Sequence, residues 1–171
     1  MRGKTYFALA LLIFCLGFPF SAKCSAKPFK VLVVMSYGKT YAWENEIREG
    51  IERVLETNSV IHFVYMDTKN HLDKGFEKAQ EAYDLYKQFQ PDGVIAADDN
   101  AQTMFVVPYL KDKVSTPVMF CGVNADPLEY GYPASNVSGI SERIHIGESL
   151  AFAQQLVPSI RKVVYMQKDS H

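Results

Sequence analysis

The sequence predicts an α/β protein with a doubly wound parallel sheet, helices on both faces and the strand order 2-1-3-4-5. Short runs rich in β-branched residues alternate with amphipathic stretches of roughly ten to fifteen residues. The first run, 29–36, is almost continuously apolar, as is typical of a strand covered on both faces. The stretches between runs are long enough for helical crossovers, which join parallel strands with right-handed connections.

Two strand–helix units are predicted between residues 29 and 90. The strands are short apolar runs, and the helices show apolar residues three or four positions apart, a spacing that places them on one face. The elements are a strand at 29–36, a helix at 43–56, a strand at 59–65 and a helix at about 75–90.

Further units follow with shorter strands. A third helix begins at Asp98-Asp99-Asn100, and Pro108 is expected to kink or shorten it, because proline has no backbone N–H and its ring clashes with the preceding turn. The other elements expected here are strands at 94–97, 117–121 and 137–141, a helix at 147–157 and the start of a strand at 161–166.

The N-terminal residues predict export from the cytoplasm. Arg2 and Lys4 precede an apolar run over 6–20, and Cys24-Ser25-Ala26 offers a small-x-small exit, the pattern of a secretory signal peptide over residues 1–26. An uncleaved membrane anchor is the alternative, although the run is shorter than the ~20 residues that a spanning helix needs. We therefore expect a periplasmic or extracytoplasmic protein.

Composition excludes several classes of function. The 171 residues carry a formal net charge of −1, with 48% hydrophobic and 22% charged residues, which is typical of a globular protein and not of a nucleic-acid-binding one. The sequence contains none of the common hydrolase, nucleotide-binding or zinc-protease motifs, and its histidines are scattered singly. We therefore expect no enzyme activity, no cofactor, no metal and no nucleic-acid partner.

Polar and aromatic residues follow the predicted strands directly. Because the carboxyl ends of parallel strands meet at one edge of a sheet, these residues are expected to form a ligand crevice. Alternatives remain open: Asp98 or Asp99 as a helix N-cap, Asn124 as a turn residue and Trp43 as a hydrophobic staple. The predicted ligand-binding residues are Ser36, Tyr37, Trp43, Asp98, Asn100 and Asn124.

Six segments in register resemble the ABC-transporter substrate-binding protein family of the tryptophan/tyrosine-binding type. This family also supplies periplasmic sensor domains to histidine kinases and diguanylate cyclases. The segments are VVMSY at 33–37 with Trp43 downstream, YMDTKNH at 65–71, ADDNA at 97–101, PVMFCGVN at 117–124, NVSGI at 136–140 and VPSIRKVV at 157–164.

The resemblance implies a type I periplasmic-binding fold, in which two α/β lobes close on a ligand. Residues 27–141 would form the N-terminal lobe, and 142–171 the crossover with the first helix and strand of an incomplete second lobe. The expected function is solute binding for an ABC permease, with a small, amino-acid-like ligand. The alternatives are a ligand-sensing ectodomain fused to a signalling module and a hydrolase on a similar sheet.

The predicted residues take distinct roles in such a cleft. The rings of Tyr37 and Trp43 would pack on the ligand, and Asp98 would accept hydrogen bonds from its amino or hydroxyl groups. Ser36 and Asn124 would bind its polar end, and Asn100 would also face the cleft.

Overall fold

The structure, a computed structural model, describes residues 27–164; the expected signal peptide and residues 165–171 lie outside that range. Its centre is a five-stranded parallel sheet in the order β2-β1-β3-β4-β5, which confirms the predicted fold class. The strands are β1 Phe29–Met35, β2 Ser59–Tyr65, β3 Gly93–Ala97, β4 Val118–Val123 and β5 Val137–Ser141.

Helices connect the first four strands and cover both faces of the sheet. Two 3-10 turns, Leu72–Lys74 and Pro127–Tyr130, complete the connections. No helix between residues 27 and 164 is both long and apolar enough to cross a membrane. The helices are α1 Ala42–Leu55, α2 Gly75–Phe89, α3 Asp98–Ala101, which continues as a π-helix over Gln102–Leu110, and α4 Ile146–Leu156.

Alternation along β1 divides the core into two layers. Leu32 and Val34 face α2 and the π-helix, whereas Val31, Val33 and Met35 face α1. All five side chains are buried, which explains why this strand is apolar from Val31 to Met35. The α1 layer covers mainly β1 and β2, so Met119 on β4 and Ile140 on β5 remain exposed within the described chain.

Pro108 does not end the helix, which widens there instead. The segment continues to Leu110 as a π-helix, and the Lys111 N–H donates to the Val106 carbonyl oxygen five residues earlier, at 2.8 Å. Proline lacks the N–H of an α-helical ladder and crowds the carbonyl one turn back. A wider turn eases the clash with the ring, and the buried Phe105 and Val106 stay in the core.

The strand expected at 161–166 is absent from the residues that the structure describes there, 161–164. A strand needs a neighbour to satisfy its backbone groups. Between residues 27 and 164 no strand lies beside this segment. The preceding helix α4 forms as expected, but none of its residues is buried.

Candidate functional site

A cavity of about 250 Å³ lies at the carboxyl edge of the sheet, where β1, β3 and β4 end. We call it the strand-end pocket. Four predicted residues, Tyr37, Trp43, Asp98 and Asn124, line it, whereas Ser36 and Asn100 do not. The remaining lining residues are Tyr41, Lys69 and Glu142.

Ser36 is fully buried beneath the pocket. Contrary to the prediction, it does not face the cleft. Its hydroxyl donates to the Ala97 carbonyl oxygen at 2.6 Å and accepts from the Ala101 N–H at 2.8 Å. Both bonds cross from the end of β1 to the β3–α3 junction. These two bonds use the donor and one acceptor position of the hydroxyl, and the side chain is not exposed to solvent. Ser36 therefore supports the site, and its hydroxyl is not accessible to a ligand.

Asn100 and Thr68 extend this support to β2. The Thr68 N–H and hydroxyl both donate to the Ser36 carbonyl oxygen, at 3.0 and 2.7 Å. The side-chain amide of Asn100 donates in turn to the Thr68 hydroxyl oxygen at 2.8 Å. We call Ser36, Thr68 and Asn100 the strand-end network. It ties the ends of β1, β2 and β3 together and fixes the base of the pocket.

Asp98 is the buried acid of the pocket. Only 2% of its surface is exposed, its φ angle is 65°, and among the described residues its Oδ2 has no hydrogen-bond partner. Burial raises the pKa of its carboxyl to about 8, helped by the charges of Glu44 and Asp99, while the indole N–H of Trp43 opposes the rise. The helix N-cap is Ala97 and no side chain caps it, so the capping interpretation of Asp98 is wrong.

Asp99 holds the loop that follows β4. Its carboxylate accepts from the Asn124 and Ala125 N–H groups, each at 3.2 Å, and from the Tyr130 hydroxyl at 2.8 Å. The Asn124 side chain donates to the Glu142 carboxylate at 3.3 Å. Asp99 is therefore not a helix cap either, and through this loop it sets the position of the pocket wall.

Gly122 allows β4 to pass close to Asp98. Its φ angle is 65°, in the region that favours glycine, and a Cβ there would lie 3.3 Å from the Asp98 Oδ1 atom. The pairing of β4 with β5 shifts between Phe120 and Val123, around this residue. The bend turns the chain towards Asn124 at the mouth of the pocket.

Glu44 is a buried acid that sequence reasoning missed. It is fully buried in the first turn of α1; one carboxylate oxygen accepts from the Tyr37 N–H at 2.6 Å, and the other has no partner among the described residues. Burial raises its pKa, opposed by the Tyr37 N–H and by Lys69. The sequence signal was weak, because an acid in the first turn of an amphipathic helix is usually exposed.

Three aromatic rings form one wall of the pocket. The rings of Tyr37 and Tyr41 meet edge to face, with centroids 5.4 Å apart. The Lys69 Nζ atom lies 4.4 Å from the Tyr37 ring centre and 4.0 Å from that of Tyr41, and it donates to the Tyr41 hydroxyl at 2.6 Å. Trp43 lies inside α1, after the N-cap residue Tyr41, so it is not the staple before the cap.

Acidic side chains outnumber basic ones in and around the pocket, although Asp98, with its raised pKa, keeps its proton at neutral pH. The lining contributes Asp98 and Glu142 against Lys69, and Glu44 and Asp99 lie behind it. Within residues 27–164 no group of three or more acidic, histidine or cysteine side chains could hold a metal ion. The arrangement can accept hydrogen bonds from a small donor-rich molecule and pack rings against it.

Comparison with known proteins supports the fold. No protein-family model matches the chain, and no curated protein matches it. A solved structure, the ligand-free, open form of CD0873, a substrate binding protein with adhesive properties from Clostridium difficile, matches 77% of the chain with a TM-score of 0.59 and 18% identity. The match spans 44% of that protein, so this chain corresponds to less than half its length. The likeness shows a shared fold.

Proposed function

We propose that this chain is an extracytoplasmic solute-binding protein, or a part of one, that binds a small polar ligand in the strand-end pocket. The observation that carries the proposal is a cavity lined by the rings of Tyr37, Tyr41 and Trp43 together with Asp98, a buried carboxyl with one oxygen that no described residue satisfies. In open α/β sheets, ligands bind at the carboxyl ends of the strands. The likeness to a substrate binding protein supports the same role.

The expected ligand is amino-acid-like, and its delivery to an ABC permease is part of the proposal. The carboxyl of Asp98 suits an amino or hydroxyl donor, and the rings suit a flat apolar group. An export signal at residues 1–26 would place the protein where such ligands are captured. A ligand-sensing ectodomain could use the same pocket; we favour uptake because the structural neighbour is described as a substrate binding protein.

The proposal is tested by a thermal-shift screen of the chain without residues 1–26. The panel contains amino acids, purines and small organic acids, each at about 10 mM so that weak binding registers. A ligand at ten times its dissociation constant stabilises the folded state by about 1.4 kcal/mol. In a domain of this size that raises Tm by roughly 3–6 °C. We expect such a shift with at least one amino acid.

Two variants locate the binding. Trp43→Leu removes a pocket ring and should abolish the shift. The control Phe76→Leu removes an exposed ring from α2, away from the pocket lining, and should preserve it. If no member of the panel shifts Tm, or if Trp43→Leu leaves the shift unchanged, the proposed function is contradicted.

A further inference from the structure

We propose that the strand-end pocket takes a ligand with an ammonium group, and that this group binds on the rings of Tyr37 and Tyr41 in place of the Lys69 side chain. The inference rests on the proposed function and names the chemical class of its ligand. It also assigns Lys69 as a competitor of the ligand, a role opposite to that of a residue that binds it.

The first observation is the position of the Lys69 ammonium. It lies within 4.4 Å of both ring centres, well inside the ~6 Å over which a cation is attracted to an aromatic face. The two rings are fixed relative to each other by their edge-to-face contact. Lys69 therefore shows that this pair of rings accepts an ammonium group.

The second observation is how weakly Lys69 is held there. Its side chain is exposed, and among the described residues no carboxylate pairs with its ammonium; its contacts are the two rings and the Tyr41 hydroxyl. Exposed contacts of this kind contribute little, because water competes for the ammonium. A ligand can thus displace Lys69 at low cost.

The third observation is the charge behind the rings. Asp98 lines the same pocket, although the residue is 98% buried, and Glu142 lines it as well. Glu44 and Asp99 add negative potential from below. At neutral pH Asp98 keeps its proton and can only exchange hydrogen bonds with a ligand, but the ionised acids around it attract an ammonium group and repel an anionic one.

Two probes with the same apolar body and opposite charge separate the possible roles of Lys69. Phenethylamine carries an ammonium, and 3-phenylpropanoate carries a carboxylate. Each is titrated into the chain without residues 1–26 while the NMR ring signals of Tyr37 and Tyr41 are followed. We expect the amine to shift both sets of signals and the acid to leave them unchanged.

Substitution of Lys69 changes the ligand affinity in opposite directions, depending on whether Lys69 competes with the ligand or binds it. As a competitor, Lys69→Ala should tighten phenethylamine binding by about fivefold, the factor that corresponds to one cation–π contact. The control Lys39→Ala removes the same charge from an exposed position in the β1–α1 turn, without a contact to the rings, and should change the affinity by less than about twofold.

Three results would overturn the inference. The first is binding of 3-phenylpropanoate that Lys69→Ala weakens, which would make Lys69 a carboxylate-binding residue. The second is amine binding that Lys69→Ala leaves unchanged or weakens. The third is failure of the amine to bind either protein. With any of these three results, a panel ligand without an ammonium group that still raises Tm would preserve the proposed function. Failure of the inference is therefore distinguishable from failure of the proposed function.

Discussion

The strand-end network and the wall of the strand-end pocket occupy equivalent places in the chain but differ in burial. Ser36 and Tyr37 are neighbours at the end of β1, yet Ser36 is fully buried and bonded on both sides, whereas Tyr37 lines the pocket. The hydroxyls and amides of the network bind other parts of the chain. The side chains of the wall border the cavity instead.

This difference shows that position after a strand selects candidates but does not separate support from binding. Adjacent residues of an extended chain point to opposite sides, so one enters the core and the next faces the edge. Asp98 stands between the two regions, because it is as buried as the network but keeps an oxygen that no described residue satisfies. Four predictions test the contrast, in order of decreasing effect.

The largest effect is expected from the charge on Asp98. Its folded-state pKa of about 8 lies above its ordinary value of 3.8, so the folded protein keeps a proton that the unfolded chain has lost. The stability from that proton is complete below about pH 4 and is lost as the pH rises to 8. Between pH 5 and pH 8 the free energy of unfolding should fall by about 3–4 kcal/mol.

Asp98→Asn removes this titration and tolerates the positive φ angle, which asparagine adopts more readily than most residues. Urea unfolding of both proteins at pH 5 and pH 8 measures the effect. Most of the fall should disappear in the variant, and a smaller slope should remain from Glu44, whose pKa is also raised. Equal falls in both proteins would show that Asp98 is ionised in the folded state.

The second effect concerns the network. Ser36→Ala leaves the Ala101 N–H buried without its partner, and a lost bond of this kind costs about 1–3 kcal/mol. The matched wall variant is Asn124→Ala, whose side-chain bonds are exposed and should cost less than about 0.5 kcal/mol. Chemical denaturation compares the two. Similar losses would remove the distinction between network and wall.

The third effect concerns α4, which the network does not reach. Phe152 and Leu156, four residues apart on this helix, are both exposed and form an apolar stripe with no cover within residues 27–164. We expect the chain to self-associate through it, and the double change Phe152→Glu with Leu156→Glu to weaken association at least tenfold. Val54→Glu, at an exposed apolar position on α1, is the control. Light scattering that shows equal association in all three proteins would contradict this.

The smallest effect is a spectroscopic one. Trp43 is the single tryptophan of the sequence and lies beside the Asp98 carboxyl, so its fluorescence reports on the pocket. We expect a small change in emission with a midpoint near pH 8, when the neighbouring carboxyl loses its proton. The change should be absent in Asp98→Asn. A titration that persists in that variant would assign it to another group.

Sequence reasoning identified the regular elements more reliably than the roles of polar residues. Periodicity placed the first two strands and helices within one or two residues, because their apolar faces are long and continuous. It missed the widening at Pro108, which depends on how the core holds Phe105 and Val106 in place. It also predicted a strand after 160, where the described residues offer no partner strand.

The sequence by itself determined the parallel sheet, its strand order and the edge at which polar residues gather, since crossover length and handedness leave few other topologies. Only the tertiary structure decided which of those residues support the pocket and which line it. Glu44 is buried because α1 packs on β1, and Lys69 reaches Tyr37 and Tyr41 because β2 lies beside β1. Burial and partners are set by segments far apart in sequence, and no local pattern records them.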